Sequence, residues 1–468
     1  MRAGRLTGLV VALLAAALAP AARAAASGLT LGFNSDPVLT DTSSAGVGFW
    51  IGRARAEGAG IVRLNVAWSQ VAPAQRPRGF VAGDPASPGY DWAAVDAQVR
   101  ALLSRGLQVL INVTFAPAWA EGPHRPASVQ AGTWRPDPAQ FAQFARSAAR
   151  RYNGAFRDPS APRVALPRVR YWQAWNEPNL DSYLTPQWTQ TRHGFAPASP
   201  AIYRRLLNAF YAAVKRVSRS DVVVTAGIAP YGNPPGVNFP GGYRMPPLTF
   251  DRVLLSAPVH CDALAQNSYP IHGPLWHAYQ PDDVSVADLY KVARELRAAE
   301  RAGNVLPRGP KQLWVTELGW NSKPPNPGGV PIDQQARWYE QALYELWRQG
   351  ADTVLLLQLV DSPPIPDYAA AYETGLYYLD GQVKPAATAF RFPFVTTRPS
   401  HRAVRAWGRA PTAGRLVLER LGRGRWGAIA TLEVASHQVF EKTLALRGRA
   451  VLRARVGAQT SLTWTQPR

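Results

Sequence analysis

Short apolar segments alternate with amphipathic helical segments along most of this chain, from about residue 29 to about residue 395. Several of the apolar segments, such as Leu107–Ile111, are nearly continuous in apolar residues, which is typical of parallel strands covered on both faces. Eight strand–helix units of this kind predict an α/β fold, a closed (β/α)8 TIM barrel. The predicted strands are Leu29–Phe33, Ile61–Val66, Leu107–Val113, Val169–Trp175, Val222–Ala226, Cys261–Gln266, Gln312–Thr316 and Thr353–Leu359.

The pattern changes towards the C-terminus. From about Arg402 the chain consists of alternating apolar and polar segments without helix signals, which predict a small antiparallel β domain. We therefore expect a barrel domain over residues 27–398 and a small β domain over residues 399–468.

The first 26 residues have the composition of a secretory signal peptide. Arg2 and Arg5 precede an apolar run, Leu9–Ala19, and the small residues Ala24–Ala26 provide a cleavage site. The run is shorter than the ~20 apolar residues that a membrane-spanning helix needs. The sequence thus predicts a secreted, extracellular protein that has no stable membrane insertion after the signal is cleaved, and we expect it to be a monomer.

The chain is strongly basic. Its 52 Lys and Arg residues against 31 Asp and Glu give a formal net charge of +21, or +18 without the three leader arginines. Nucleic acid, anionic lipid and acidic polysaccharide all attract such a charge. The arginines are dispersed along predicted helices, and no nucleic-acid-binding motif accompanies them, so the pattern favours a solvated basic surface. We predict no nucleic-acid partner and keep an anionic glycan open as a ligand.

Two glutamates stand at the ends of predicted strands, each near tryptophan. Glu177 follows the apolar segment Tyr171–Trp175 and precedes Pro178, which ends the strand, and Glu317 follows Gln312–Thr316. These are the fourth and seventh strands, so both carboxylates lie on the face that carries the active site of such barrels. Hydrolysis of a glycosidic bond needs two carboxyl groups on opposite sides of the bond. A single strand-end glutamate is usually solvated or ion-paired, but the pair and the scaffold together favour catalysis.

The motifs Trp175–Asn179 (WNEPN) and Thr316–Trp320 (TELGW) resemble those of clan A glycoside hydrolases, and the resemblance covers residues 28 to 394. These enzymes are retaining TIM barrels. Departures from the cellulase-like pattern of family 5 favour family 39 or an unassigned relative. The resemblance implies a retaining glycoside hydrolase that cleaves O-glycosidic, β-linked bonds of an oligo- or polysaccharide by double displacement, with Glu177 as acid/base and Glu317 as nucleophile.

The same resemblance implies residues that bind substrate around the two carboxylates. Asn176 is expected to hold the sugar 2-hydroxyl, and Arg63 and Tyr269 occupy places where clan members keep an Arg and a Tyr near the nucleophile. A structural salt bridge and a core tyrosine are the alternatives for these last two residues. Further candidate sugar contacts are His272, Trp276, Trp68, Trp119 and Trp320, although each tryptophan can equally be a packing residue.

Two other functions stay open at this point: a non-catalytic carbohydrate-binding barrel and a surface protein that binds polyanions. The sequence has no cluster of metal-ligating residues, no phosphate-binding loop and no G-x-S-x-G motif. We therefore expect neither a metal nor another cofactor. The single cysteine, Cys261, excludes an intramolecular disulfide bond and lies in an apolar run without a Cys–His pattern.

Overall fold

The computed structural model describes residues 28–238 and 242–467, so the predicted signal peptide lies outside the described residues. Eight parallel strands close into a barrel in which each strand pairs with its sequence neighbours and the last pairs with the first. The predicted TIM barrel is thus confirmed. The strands are β1 (Thr30–Phe33), β2 (Ile61–Ala67), β3 (Gln108–Thr114), β4 (Tyr171–Ala174), β5 (Val222–Ile228), β6 (Ala263–Asn267), β7 (Gln312–Glu317) and β8 (Thr353–Leu356).

A helix of seven or more residues follows each strand. The helix starts reflect local sequence signals: Asp137 accepts hydrogen bonds from two backbone N–H groups of the third helix, and Ser285 and Asp288 form a capping box before the sixth. None of the helices in the described ranges is long and apolar enough to cross a membrane. The helices are α1 (Val47–Ala56), α2 (Ala93–Ser104), α3 (Pro138–Arg151), α4 (Ser199–Val217), α5 (Pro247–Leu254), α6 (Leu289–Ala302), α7 (Ile332–Arg348) and α8 (Pro385–Arg391).

The interior of the barrel changes from apolar to polar along the strands. A buried apolar cluster fills the strand-entry end and consists of Ile61, Leu110, Val224, Ala263, Ala265, Trp314 and Leu355. Because successive side chains of a strand point to opposite faces, the residue two positions later enters the same interior one layer higher. Those residues include Arg63 after Ile61, Asn267 after Ala265 and Thr316 after Trp314, and all three are buried. The polar layer lies directly below the strand-exit face.

The C-terminal β domain starts earlier than the predicted boundary at residue 399. Its first strand, β9 (Phe394–Ser400), is already paired antiparallel with β10 (Ala403–Arg409). The pattern near residue 399 is ambiguous because β9 follows α8 after only two residues, so no turn signal separates the domains. The remaining strands are β11 (Gly414–Gly422), β12 (Arg425–Val434), β13 (Val439–Leu444), β14 (Ala450–Val456), β15 (Gln459–Thr460) and β16 (Trp464–Gln466).

The β domain packs against the outside and the strand-entry end of the barrel. Trp407 on β10 contacts Tyr344 and Trp347 of α7, with ring centroids 5.3 and 5.6 Å apart. The buried Arg409 donates from Nε to the backbone oxygen of Leu29, just before β1 (2.9 Å). These contacts lie away from the strand-exit face, where Glu177 and Glu317 are found.

Candidate active site

Glu177 lies at the strand-exit end of β4, in a backbone conformation that residues other than glycine seldom adopt. Trp175 and Glu177 have φ angles of 74° and 36°, in the left-handed region. The backbone N–H of Trp175 donates to Val113 O (2.9 Å) and that of Glu177 donates to Gly227 O (3.1 Å), so the ends of β3 and β5 hold this segment. Strain of this kind persists where the surrounding structure fixes it, and it is concentrated at functional sites.

Glu317, the last residue of β7, receives two short hydrogen bonds. Arg63 donates from a terminal guanidinium nitrogen to Oε1 (2.6 Å), and the Tyr269 hydroxyl donates to Oε2 (2.7 Å). Each carboxylate oxygen therefore has its own donor, and one donor is charged. This arrangement stabilises the ionised carboxylate and fixes its orientation.

Arg63 is fully buried and links four parts of the barrel. Besides Glu317, it donates to Gln173 Oε1 (2.6 Å) on β4, to Asn34 Oδ1 (3.1 Å) after β1, and to Asn176 Oδ1 (2.6 Å) after β4. Because Asn176 accepts through Oδ1, its amide nitrogen is directed away from Arg63, towards the hydroxyl of Tyr183. Arg63 is thus both the charge partner of Glu317 and the residue that orients Asn176.

Asn267 holds the second carboxyl. Its amide nitrogen donates to Glu177 Oε1 (2.8 Å), while its amide oxygen accepts from the Thr316 hydroxyl (2.8 Å), which fixes the orientation of the amide. Space for this arrangement exists because residue 227 is glycine: a Cβ there would lie 2.2 Å from Asn267 Oδ1 and 2.4 Å from Thr316 Oγ1. Strands β5, β6 and β7 together position the side chain that contacts Glu177.

The two carboxyl groups lie in opposite electrostatic environments. Burial raises the pKa of Glu177 well above its ordinary value, and the negative charge of Glu317 raises it further, against smaller opposing effects of Asn267, Arg63 and Arg244. Glu317, in contrast, is bound by a guanidinium and a phenol. A protonated carboxyl facing an ionised one is the arrangement that acid and nucleophile require in glycoside hydrolysis.

Glu317, Arg63, Asn176 and Tyr269 form one hydrogen-bonded group. Glu177, which Asn267 holds, lies close enough for the charge of Glu317 to act on it. Two of the predicted tryptophans lie apart from these residues. Trp68 is fully buried and stacks on Phe144 (5.6 Å), so its proposal as a sugar contact is wrong. The short helix Trp68–Val71 follows β2 directly and turns this side chain into the core. Trp119 is half-buried, and the Arg76 guanidinium lies 4.1 Å from the centre of its ring.

The other three predicted sugar contacts, His272, Trp276 and Trp320, lie in and beside the loop after β6. His272 is exposed, and its Nε2 is 2.7 Å from the hydroxyl of Tyr279. Trp320 is nearly buried, and its indole N–H donates to the backbone oxygen of His272 (2.9 Å). Trp276 is 60% exposed, Tyr279 is 69% exposed, and the His272 and Trp276 rings are 5.1 Å apart. We call His272, Trp276 and Tyr279 the aromatic rim.

Sequence reasoning did not find the roles of Asn267, Thr316 and Tyr183. Burial raises the pKa of Tyr183 to about 12, the charges of Glu177 and Glu317 contribute in the same direction, and a hydrogen bond with Asn176 opposes them. Tyr183 stacks on Phe115, at the end of β3, with ring centroids 5.5 Å apart. The available signal for Asn267 and Thr316 is their spacing, two residues beyond inward-facing apolar residues. Tyr183 lies in a loop and carries no such signal.

The site contains carboxylates, amides and phenols and offers no recognisable metal ligand set. Across residues 28–238 and 242–467, no group of three or more His, Cys, Asp and Glu side chains is arranged to hold a metal ion.

No protein-family model matches the sequence, and no curated protein matches it. Solved structures do match the fold. A family 39 glycoside hydrolase from the gut symbiont Bacteroides cellulosilyticus is 17% identical, with a TM-score of 0.53 over 89% of this chain and 80% of that chain. A glucosidase from Croceicoccus marinus is 14% identical, with a TM-score of 0.50 over 91% of this chain and 92% of that chain.

These similarities define the class of fold: the chain is a (β/α)8 barrel of the architecture that clan A glycoside hydrolases have. They extend over most of both chains, so they include more than the common barrel core. The fold expected from the WNEPN and TELGW motifs is therefore confirmed.

Proposed function

We propose that this protein is a retaining glycoside hydrolase that cleaves O-glycosidic bonds of β configuration in an oligo- or polysaccharide. The observation that carries the proposal is the asymmetry of the two carboxyl groups: the pKa of Glu177 is raised by burial and by Glu317, whereas Glu317 accepts from Arg63 and Tyr269. The reaction class agrees with those of the hydrolase and the glucosidase that share the fold.

In the first step, a Glu317 oxygen attacks the anomeric carbon while the bond from that carbon to the glycosidic oxygen breaks. Glu177 gives its proton to the departing oxygen, and a covalent glycosyl ester on Glu317 remains. Because Asn267 donates to Glu177 Oε1, the acidic proton belongs on Oε2. The Tyr269 and Arg63 donors hold Glu317 in the orientation for attack.

In the second step, Glu177 is a carboxylate and accepts a proton from water. The resulting hydroxide oxygen bonds to the anomeric carbon as the ester bond to Glu317 breaks, which restores both side chains. Two inversions at one carbon leave its configuration unchanged. Asn176, oriented by Arg63, donates an amide N–H to the 2-hydroxyl of the sugar, a contact that strengthens in the transition state.

The aromatic rim supplies a surface for sugars beyond the cleaved bond. Its loop is ordered by contacts at both ends: Tyr231 accepts from the backbone N–H of Ile271 (3.1 Å), and the Ser285 hydroxyl donates to the backbone oxygen of Trp276 (2.8 Å). An exposed indole on a fixed loop offers an apolar face to the C–H face of a pyranose ring. The rim therefore supports a substrate longer than one sugar.

We also propose that the protein acts outside the cell, and this part of the proposal rests on the signal-peptide composition of residues 1–26. Its substrate would then be an extracellular glycan.

A glycan hydrolysis screen tests the proposed activity. The wild-type protein is expected to release reducing sugar from at least one member of a panel of β-linked glycans and aryl β-glycosides. Glu177→Gln keeps the size of the side chain and removes the acid, so this variant should be inactive on unactivated glycans. A wild-type protein that binds glycans and hydrolyses none would instead be a carbohydrate-binding barrel.

A further inference from the structure

The positive charge of the chain is concentrated in the C-terminal β domain. Residues 394–468 contain 13 arginines and one lysine against three glutamates, a formal net charge of +11. Residues 28–393 contain 35 lysines and arginines against 28 aspartates and glutamates, a net charge of only +7 over a much longer segment. A small domain of this charge attracts polyanions.

The β domain consists of two sheets, and one of them has an exposed outer face. The core between the sheets contains Val404 and Phe440 from the β9–β10–β13 sheet and Leu416 and Leu452 from the β12–β11–β14 sheet. The first sheet turns its other face to the barrel, where Trp407 contacts α7. The second sheet therefore presents its other face to solvent, because successive side chains of a strand point to opposite faces.

This outer face contains a cleft with a volume of about 610 Å³. Its lining includes Arg415 and Val417 on β11, Thr431 on β12 and Arg455 on β14. Val417 lies directly opposite Thr431 on one side and Arg455 on the other. Arg415 is two residues before Val417 on the same strand, so both arginine side chains stand on the outer face of the sheet, at the cleft.

A shared carboxylate fixes one of these arginines and its neighbour on β14. Glu419 accepts from Arg453 Nε through Oε2 (2.7 Å) and from Arg455 Nε through Oε1 (3.2 Å). The Arg453 guanidinium also lies 4.1 Å from the centre of the Trp426 ring. One carboxylate thus orients two guanidinium groups, and a positive charge is left over.

The cleft arginines keep donors for a ligand. Arg455 is 40% exposed in its side chain and uses Nε for Glu419 and one terminal nitrogen for the backbone oxygen of Gly457 (3.3 Å). Its second terminal nitrogen has no acceptor among residues 28–238 and 242–467. Arg415 is exposed and makes no hydrogen bond or ion pair within the same ranges. The two side chains together offer several N–H donors and positive charge to a molecule in the cleft.

We propose that this cleft binds an acidic polysaccharide whose sugars carry carboxylate groups, as a second glycan site apart from Glu177 and Glu317. The site goes beyond the proposed hydrolase function and does not require the barrel to be catalytic. A guanidinium matches a carboxylate with two parallel hydrogen bonds. The Thr431 hydroxyl, at the same cleft, suits a sugar hydroxyl. A polymer with a carboxylate on every sugar also meets the charge that is spread over the rest of the domain.

The same face fits the other common polyanions less well. Binding to a lipid surface depends on apolar side chains that enter the headgroup region, whereas Leu421 and Ile429 on this sheet are only 37% and 36% exposed. Binding to single-stranded nucleic acid depends on open aromatic faces on which bases stack. The Arg453 guanidinium covers a face of Trp426 instead.

The test measures binding by calorimetry, with the full chain carrying Glu177→Gln so that the polymer is not cleaved. The probes are polygalacturonate and polyguluronate, and the matched controls are their uncharged esters. We expect at least one polyuronate to bind at least about tenfold more tightly than its ester. Arg415→Gln/Arg455→Gln should raise that Kd by about tenfold, because two charge-assisted contacts are lost.

A second double variant controls for net charge. Arg146→Gln/Arg216→Gln removes the same charge from exposed positions on α3 and α4 and should change the Kd by less than about twofold. In the protein that keeps Glu177, Arg415→Gln/Arg455→Gln should leave kcat/KM for a small aryl glycoside unchanged, because the cleft is on a different domain from the two glutamates.

Three results would overturn the proposal. The first is equal binding of polyuronates and their esters, or no binding of either. The second is an equal loss in the two double variants, because net charge alone would then explain the binding. The third is tighter binding to anionic lipid vesicles or to DNA than to the polyuronates. A protein that binds a polyuronate through this cleft and hydrolyses no glycan would refute only the proposed hydrolase function.

Discussion

Asn267 on β6 donates a hydrogen bond of 2.8 Å to Glu177 Oε1, and Thr316 on the neighbouring strand fixes the amide that makes it. The contact has two effects. It holds the carboxyl of Glu177 in one orientation, and it favours the ionised form of that carboxyl, against the burial and the Glu317 charge that favour the protonated form. Asn267 therefore limits how far the pKa of Glu177 rises.

Asn267→Ala is expected to raise the pKa of Glu177 further, because it removes a donor to the ionised form. The acid then stays protonated to higher pH, so the alkaline limb of kcat/KM should move upward by about one pH unit. Thr316→Val removes only the group that orients the amide and should give a smaller upward shift. If the alkaline limb of kcat/KM stays in place or moves to lower pH in Asn267→Ala, Asn267 does not lower the pKa of Glu177.

Arg63→Met should destabilise the fold by about 3–5 kcal/mol, because it leaves the Glu317 carboxylate buried without its charge partner. The double variant Arg63→Met/Glu317→Gln should recover part of that loss, since the unpaired charge is then absent. Urea unfolding measures both free energies. Arg100→Met, which breaks the more exposed pair with Asp158, serves as control and should cost about 0–1 kcal/mol. Equal losses for the single and double variants would show that charge pairing is not what Arg63 supplies.

Trp276→Ala is expected to raise KM for oligosaccharides by about tenfold, because the apolar face that contacts the sugar is lost. The KM for a small aryl glycoside should stay unchanged, since that substrate does not reach the aromatic rim. The melting temperature should also stay unchanged, because Trp276 is 60% exposed. Tyr290→Ala, at an exposed aromatic on α6, is the matched control. Equal KM changes for the long and short substrates would refute the assignment.

Asp251 on α5, outside the active site, is expected to make the stability of the fold depend on pH. Its carboxyl is fully buried, neither oxygen makes a hydrogen bond with a described residue, and burial raises its pKa from 3.8 to about 7. The folded protein therefore binds this proton more tightly than the unfolded chain does. The stabilisation is complete below about pH 4 and is lost as the pH rises towards 7.

Asp251→Asn removes this titration. The wild-type free energy of unfolding should fall relative to that of the variant between pH 4 and 8, by up to roughly 4 kcal/mol. Urea unfolding at several pH values gives the comparison, and Asp333→Asn at an exposed position supplies a variant with the same charge change. Parallel curves for wild type and Asp251→Asn would mean that the carboxyl is not held protonated.

The barrel was predictable from the sequence because each strand is a short apolar run between helix signals. The same alternation placed Glu177 and Glu317 on one face, and motif resemblance supplied Arg63 and Tyr269. The sequence did not show which tryptophans pack in the core and which face the site. Trp68 follows a strand as an active-site residue does, but the helical turn that it begins directs it into the core.

Side-chain contacts between different strands could not be predicted from the sequence. The role of Asn267 depends on Thr316, 49 residues away, and on the absence of a side chain at Gly227. The predicted start of the β domain at residue 399 was also too late. Only two residues separate the end of α8 from the start of β9, and they give no turn signal.

Glu317 is the proposed nucleophile, and one measurement tests that role most directly. Glu177→Ala is incubated with a dinitrophenyl glycoside of a sugar that the wild-type protein hydrolyses, and the protein is digested and analysed by mass spectrometry. The leaving group needs no proton, so the first step proceeds while the second, which lacks its base, is slow. We expect one glycosyl group on the peptide that contains Glu317, and added azide should discharge it as a β-glycosyl azide. An unmodified protein, or a glycosyl group on another residue, would contradict the account.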